Sequence, residues 1–268
     1  MKKTIGFLGA GQMATALAIG FLKAGIADKG KLFASDAVAA SGKRFAAATG
    51  ATLCRSNTEL LEKAELLFLA VKPAQMGDVL REIAGKAKPK TLFVTIAAGL
   101  PISFYAEQLG EKAKLVRIMP NTPCLVAKGV CAFAASDTVT QIELGEVKTL
   151  LETVGVAEQV PEKLLDAVTG LSGSGPAFVC MIIEAMSDAG VRMGLPRAMA
   201  TSFAAQTLLG TAEMVLQTGE HPAMLKDRVT SPAGTTIAGV QALEEHGLRA
   251  AMMAAIEAAT ERSIELSR

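Results

Sequence analysis

Up to about residue 158 the chain alternates short, almost wholly apolar runs with amphipathic stretches. The apolar runs occupy residues 4–8, 31–35, 66–71, 91–96, 114–119 and 130–135. Runs of that length without polar alternation suit strands buried on both faces, and their rhythm with helical patterns between them predicts βαβ units of a mostly parallel sheet. Beyond Pro161 the rhythm changes to long Ala-, Leu- and Met-rich stretches, broken at Gly194-Leu195-Pro196, at Gly219 and Pro222, and at Ser231-Pro232. That half reads as helical throughout. The pattern therefore predicts an α/β fold in two domains, a mostly parallel sheet domain over 1–158 followed by an all-α domain over 159–268.

Composition narrows the function. Lys plus Arg number 27 and Asp plus Glu 26, a net charge of +1, which leaves no basic surplus for a phosphate backbone and argues against nucleic acid. Half of the residues are apolar and 20% are charged, so another copy of the chain is expected to cover part of the apolar surface. The small residues spaced through 204–212 allow close helix contact, in a core or across a dimer face. Cys54, Cys124, Cys131 and Cys180 form no C-x-x-C pair, and His221 and His246 stand far from any zinc spacing. This fits a reduced cytoplasm, no metal and no membrane. Isolated cysteines in apolar surroundings, such as Phe178-Val179-Cys180-Met181-Ile182, read as buried packing residues.

The stretch 4–22 carries no charge and follows Met1-Lys2-Lys3. It has the outline of a secretory signal, but Gln12, Thr15 and four glycines interrupt the apolar region, and the βα rhythm continues in phase behind it. The same residues hold Gly9-x-Gly11-x-x-Ala14 directly after an apolar run. In a dinucleotide-binding turn the first glycine allows the bend, the second leaves room for the pyrophosphate, and a small third residue lets the helix lie on its strand. A helix opening near Gln12 and Met13 would turn its free N–H groups on the pyrophosphate. The second strand ends at Ser35-Asp36. A carboxylate there bonds the ribose hydroxyls of NAD and repels the 2′-phosphate of NADP, whereas Ser35, Lys43 and Arg44 suit that phosphate; Lys43 and Arg44 equally suit a solvated helix face.

Two motifs stand in the helical half. "LSGSGPAF" joins a Gly/Ser turn at residue 171 to a helix with Pro176 in its first turn. β-Hydroxyacid dehydrogenases follow a similar turn with a helix carrying a catalytic lysine, and 177–184 has none. "SPAGTTIAGVQAL" reads as a second helix start, with Ser231 as cap, Pro232 early, and free N–H groups over 233–236 that would hold an anion.

Taken together, Gly6-Phe7-Leu8-Gly9-Ala10-Gly11-Gln12-Met13-Ala14, Ala70-Val71-Lys72-Pro73, Ala97-Ala98-Gly99, Met119-Pro120-Asn121-Thr122-Pro123, Thr169-Gly170-Leu171-Ser172-Gly173-Ser174-Gly175-Pro176-Ala177, Glu220-His221-Pro222, Leu225-Lys226-Asp227 and Ser231-Pro232-Ala233-Gly234-Thr235-Thr236-Ile237 resemble the pyrroline-5-carboxylate reductase family over essentially the whole chain. The resemblance implies a Rossmann-type domain followed by a helical dimerisation domain, NADP as cofactor with NADH possible, and 1-pyrroline-5-carboxylate as substrate. It implies that Asn57, Val71, Lys72 and Pro73 lie near the adenosine side of the cofactor and Ala97, Ala98 and Asn121 near its nicotinamide. It further implies that Ser231, Ala233, Gly234, Thr235 and Thr236 hold the substrate, with the Thr236 hydroxyl bonding the imine nitrogen. The family usually has glycine where Ala233 stands and a Ser-rich segment around Asp36. The rivals are a reductase of another cyclic imine or keto acid and a nucleotide-binding dimer without turnover.

Overall fold

The computed structural model describes residues 3–267. Met1 and Lys2, the head of the signal-like stretch, and Arg268, the end of the helical domain, lie outside the described residues. The chain divides into two compact units: residues up to 174 together with those from 258 onward, and Gly175–Glu257.

The first unit runs β1 (Ile5–Leu8), α1 (Gln12–Lys23), β2 (Leu32–Ser35), α2 (Ala39–Thr49), β3 (Thr52–Leu53), α3 (Asn57–Lys63), β4 (Leu66–Leu69), α4 (Pro73–Ile83), β5 (Leu92–Thr95), α5 (Ile102–Leu109), β6 (Lys114–Pro120), β7 (Gly129–Ala135), α6 (Gln141–Glu152), β8 (Gly155–Gln159) and α7 (Leu165–Val168). The strands form one eight-stranded sheet in the order β3-β2-β1-β4-β5-β6-β7-β8. Neighbours are parallel except β6 and β7, where Met119 pairs with Ala132. Strand order thus reverses about β1, and the crevice of such a sheet opens at the carboxyl ends of its strands on either side of that point.

Alternation along the strands sorts side chains to two cores. Phe7 of β1 and Phe68 of β4 point to one face and stack at 4.8 Å, joined by Phe21 of α1 and Phe45 of α2. Leu8, Leu67 and Leu69 point to the other, with Leu60, Met76, Leu80 and Tyr105. Gly6 must be small because a Cβ there would meet Ala64, Leu67 and Leu60 at 3.0 Å or less.

The pattern of apolar runs missed β3, which is two residues long, and β8 at the sheet edge, whose Gly-Val-Ala-Glu-Gln ends polar and buries only Ala157. Burial is equally specific in the ion pair between Arg117 of β6, 5% exposed, and Glu162. The Glu162 carboxylate accepts from Arg117 at 3.0 Å and from the Ile102 N–H at 2.7 Å. Glu162→Ala leaves a buried guanidinium without its nearest partner and should cost about 3 kcal/mol of unfolding free energy. Urea titration checks this; a loss below about 1 kcal/mol would show that Asp166, 4.0 Å from Arg117, takes over.

The second unit holds α8 (Gly175–Arg192), α9 (Arg197–Thr218), α10 (Pro222–Arg228), α11 (Thr235–Glu245) and the first half of α12 (Leu248–Leu266). The expected Gly/Ser turn before α8 is instead a π-helical turn, Thr169–Gly173, inside a longer helical run: Ser174 N–H reaches back five residues to the Thr169 carbonyl at 2.9 Å. Gly173 fits there because a Cβ would lie 2.5 Å from Met119.

The run Glu162–Arg192 is long and apolar enough to cross a bilayer, with mean hydropathy 1.3, and only 6% of its apolar window is buried. Exposed apolar side chains continue through the second unit. Met181, Met193, Phe203, Leu209, Met214 and Leu216 are all exposed, as is Cys180, which the sequence pattern placed among buried packing residues. Its surroundings are apolar as read, but they form an outer face that these helices leave uncovered.

Candidate active site

The turn after β1 meets the demands of a dinucleotide cradle. Gly9 has φ of +96°, and a Cβ there would sit 2.7 Å from the backbone of Ala70. No other residue fits without moving β4's exit. Gly11 caps α1 with no side-chain bond, and a Cβ on it would enter open space. The first turn of α1 carries no acidic residue, so the N–H groups of Gln12, Met13 and Ala14 face outward with their partial positive charge uncompensated. Ala14 is buried beneath them. This is space and charge for a pyrophosphate.

Around the turn lies a cleft of about 550 Å³. Gly9, Gly11, Ser35, Asp36, Asn57, Val71 and Lys72 line it. Lys72 is the only cationic side chain in that lining and has no ion-pair partner among the described residues. Sequence reasoning missed Val38, Ser41, Gln75 and Val79, which also face the cleft. Gln75 and Val79 are one helical turn apart on α4, so the start Lys72-Pro73 carried the signal. Ser35 donates to Asn57 at 2.9 Å, and Asn57 donates to Glu82 at 2.7 Å, which fixes both cleft residues.

Asp36 lines the cleft but does more than face it. One carboxylate oxygen accepts the Ala10 N–H and the other the Val38 N–H, each at 2.7 Å. The residue read as a choice between ribose and phosphate also clamps the glycine turn to the end of β2, beside the Gly9 N–H bond to the Ser35 carbonyl at 2.8 Å. Asp36→Ser should weaken both coenzymes by loosening that turn, while removal of the charge raises the NADPH to NADH ratio of kcat/KM. Steady-state kinetics with each coenzyme check this, and an unchanged ratio would show that the carboxylate acts on the turn alone.

Gln12, Met13, Pro73, Ala97, Ala98 and Asn121 do not line this cleft. Ala97 and Ala98 follow β5, and Asn121 follows β6, both at carboxyl ends of the same sheet. The Tyr105 hydroxyl and Thr95 Oγ1 lie 2.5 Å apart beneath them, and Thr95 Oγ1 accepts the Ala97 N–H at 3.3 Å. Burial pushes the Tyr105 hydroxyl up to about 12, so it keeps its proton at neutral pH. The Asn121 side chain accepts the Val130 N–H at 2.9 Å and donates to the Ser172 carbonyl at 3.1 Å. Pro176, four residues on, has no N–H for that carbonyl, and Asn121 supplies the missing donor.

In the second unit the helix start of the SPAGTT segment differs from the reading of its sequence. The cap is Gly234 rather than Ser231, and α11 opens at Thr235. Ser231 to Gly234 form a turn closed by the Gly234 N–H on the Ser231 carbonyl at 3.1 Å. That turn puts Ala233 at φ +56°, a left-handed conformation which explains the family's glycine there. A Cβ on Gly234 would lie 2.3 Å from Ser231 Oγ. The N–H groups free for an anion are therefore those of Thr235, Thr236 and Ile237. Neither threonine hydroxyl makes a hydrogen bond with the described residues, and Thr236 is the less exposed of the two.

A larger cleft, about 780 Å³, opens beside α5 between Ser136, Thr138 and Glu162. It has neither glycine turn nor cation, and holds none of the site residues expected from the sequence.

Switch-point crevice, glycine cradle and open helix N-terminus define a dinucleotide-dependent oxidoreductase. Comparison with known proteins gives the family. Residues 162–266 match the family model for pyrroline-5-carboxylate reductase dimerisation, and residues 4–99 that for NADP oxidoreductase, coenzyme F420-dependent. The chain is 45% identical to pyrroline-5-carboxylate reductase of Methanosarcina acetivorans, over 100% of this chain and 99% of the relative. It is 42% identical to that of Escherichia coli over 100% of both. Among solved structures, Plasmodium falciparum pyrroline carboxylate reductase with NADP bound superposes with TM-score 0.91 at 34% identity, over 100% of this chain and 99% of that one. The chain belongs to the pyrroline-5-carboxylate reductase family.

Proposed function

We propose that this chain reduces 1-pyrroline-5-carboxylate to L-proline with NADPH as favoured coenzyme and NADH as a second one, as the last step of proline biosynthesis, in the cytoplasm. The observation that carries this reading is the pair of Thr235 and Thr236 hydroxyls, unbonded among the described residues, at a helix N-terminus capped by backbone alone, in a chain that aligns end to end with such reductases. When bound, the coenzyme supplies hydride for the imine carbon. The chain supplies placement. Gly9, Gly11 and the N–H groups of Gln12 and Met13 hold the pyrophosphate, while Ser35, Asp36, Asn57, Val71, Lys72 and Pro73 hold the adenosine half, with Lys72 the cation for a phosphate. Ala97, Ala98 and Asn121 border the nicotinamide.

The substrate carboxylate docks on the N–H groups of Thr235, Thr236 and Ile237, walled by Ser231, Ala233 and Gly234. Thr236 Oγ1 donates to the imine nitrogen as charge changes there. The imine nitrogen keeps its lone pair for that donor and takes its proton from solvent as the hydride arrives, so a neutral hydroxyl in fixed geometry suffices and no His, Lys or Asp acid is needed.

The chain carries its family's dimerisation region and forms a homo-oligomer. The exposed apolar face of the second unit is the surface a second copy covers. Sedimentation at micromolar concentration should give a dimer or larger assembly; a stable monomer would contradict this. Steady-state assays that set 1-pyrroline-5-carboxylate against its six-membered imine homologue and open-chain keto acids test the substrate. The five-membered imine should have the highest kcat/KM, and preference for another substrate would replace this reading by the broader imine or keto-acid reductase.

A further inference from the structure

Cys124 and Cys131 are both buried, 3% and 0% exposed, with sulfur atoms 3.7 Å apart. Cys124 lies in the 3-10 turn Thr122–Val126 that follows Asn121, and Cys131 in β7, opposite Pro120. The fold presses the two segments together. A Cβ on Gly129 would lie 2.2 Å from the Cys124 sulfur. The Lys128 N–H donates to the Pro123 carbonyl at 3.1 Å, and Asn121 Oδ1 accepts the Val130 N–H. A disulfide requires the sulfurs to approach by about 1.6 Å more, a local shift of the turn against its strand rather than a refolding. Nothing in the proposed reaction uses either thiol.

We propose that Cys124 and Cys131 form a reversible disulfide site, closed by a small peroxide, that disables the Asn121 segment. The inhibitory half rests on the reading of Asn121 as a nicotinamide-side residue; the disulfide itself does not. The Cys131 thiol, hydrogen-bonded to the Cys124 sulfur, lowers the Cys124 thiol to about 7 against the opposing effect of burial, while Cys131 is held well above the ordinary thiol range by the same bond and by burial. Cys124, on the turn and the less buried of the two, is the nucleophile and Cys131, inside the strand, the resolving thiol.

The Cys124 thiolate attacks one oxygen of hydrogen peroxide. A sulfur–oxygen bond forms, the O–O bond breaks, and the released hydroxide takes a proton to become water. The Cys131 sulfur then attacks the sulfenic sulfur; the S–S bond forms, the S–O bond breaks, and the Cys131 proton leaves with the hydroxyl as a second water. Two thiols have been oxidised and one peroxide reduced. Burial, with Cys124 3% and Cys131 0% exposed, favours a small peroxide over a bulky disulfide as oxidant. Closure draws the 3-10 turn onto β7 and strains both hydrogen bonds of Asn121.

The test treats the reduced full-length protein with hydrogen peroxide, traps remaining thiols by alkylation, and combines peptide mapping with kcat. The expected result is a peptide pair joined through Cys124 and Cys131, lighter by two hydrogen atoms, formed faster as pH rises through 7. Loss of kcat should track the joined fraction, and dithiothreitol should restore both. Cys131→Ala, which removes both the resolving thiol and the hydrogen bond that lowers Cys124, should give no joined pair and keep its activity in peroxide. Two cysteines that stay fully alkylatable, a link made through Cys54 or Cys180 instead, or a joined protein with unchanged kcat would each overturn the proposal.

Discussion

Thr236→Ala is expected to lower kcat about a hundredfold while leaving coenzyme affinity intact. One well-placed donor in a transition state is worth about 3 kcal/mol, or roughly two orders of magnitude in rate. The hydroxyl makes no hydrogen bond with the described residues, so its removal leaves no partner unpaired among them and no helix uncapped: the cap is the backbone turn at Gly234. The carboxylate keeps the N–H groups of Thr235, Thr236 and Ile237, so KM should move less than kcat. Thr236→Ser should recover most of the loss. Thr235→Ala is the control and should be milder, because the family pattern assigns the donor to the second threonine. Near-normal kcat in Thr236→Ala, or a crippled Thr235→Ala alone, would move the donor elsewhere without touching the family assignment.

Gly11→Val is expected to weaken coenzyme binding by about a hundredfold or more with the fold preserved. The two glycines of the turn make this separation possible. At Gly9 a side chain would strike the Ala70 backbone at φ +96°, so substitution there breaks the turn itself. At Gly11 the backbone is extended and a Cβ meets nothing. Valine there enters the space that leads to the N–H groups of α1, and it excludes pyrophosphate by volume. Isothermal titration should show the lost affinity beside an unchanged melting temperature. Unchanged affinity would mean that the pyrophosphate does not approach Gly11.

Most of the sheet was legible because its buried strands are mostly apolar and, β6 apart, are followed by helices. The edges were not. β8 has one buried residue, Ala157, and reads as ordinary polar sequence. The glycine cradle was legible for a different reason: φ and close approach restrict those positions to one residue type. Thr236 and its neighbours came from the resemblance, since a Ser-Pro-Ala-Gly-Thr-Thr segment by itself is only a helix start.

The boundaries inside that segment escaped sequence reasoning. Ser231, a good cap by type, is displaced by a turn that places Gly234 at the cap and Ala233 in the left-handed region. Likewise Asp36 was read for its charge, while the carboxylate, besides the Val38 N–H two residues on, accepts the Ala10 N–H from 26 positions away. The Asn121 bonds to Val130 and Ser172 join residues nine and fifty-one positions away. No local pattern encodes such contacts.

The most direct test of the central claim follows the absorbance of reduced coenzyme while the purified protein meets 1-pyrroline-5-carboxylate, with amino-acid analysis of the product. One equivalent of L-proline formed per NADPH oxidised, with a lower kcat/KM for NADH, is the result predicted. Coenzyme that binds without being oxidised would contradict the account and leave a nucleotide-binding dimer in its place.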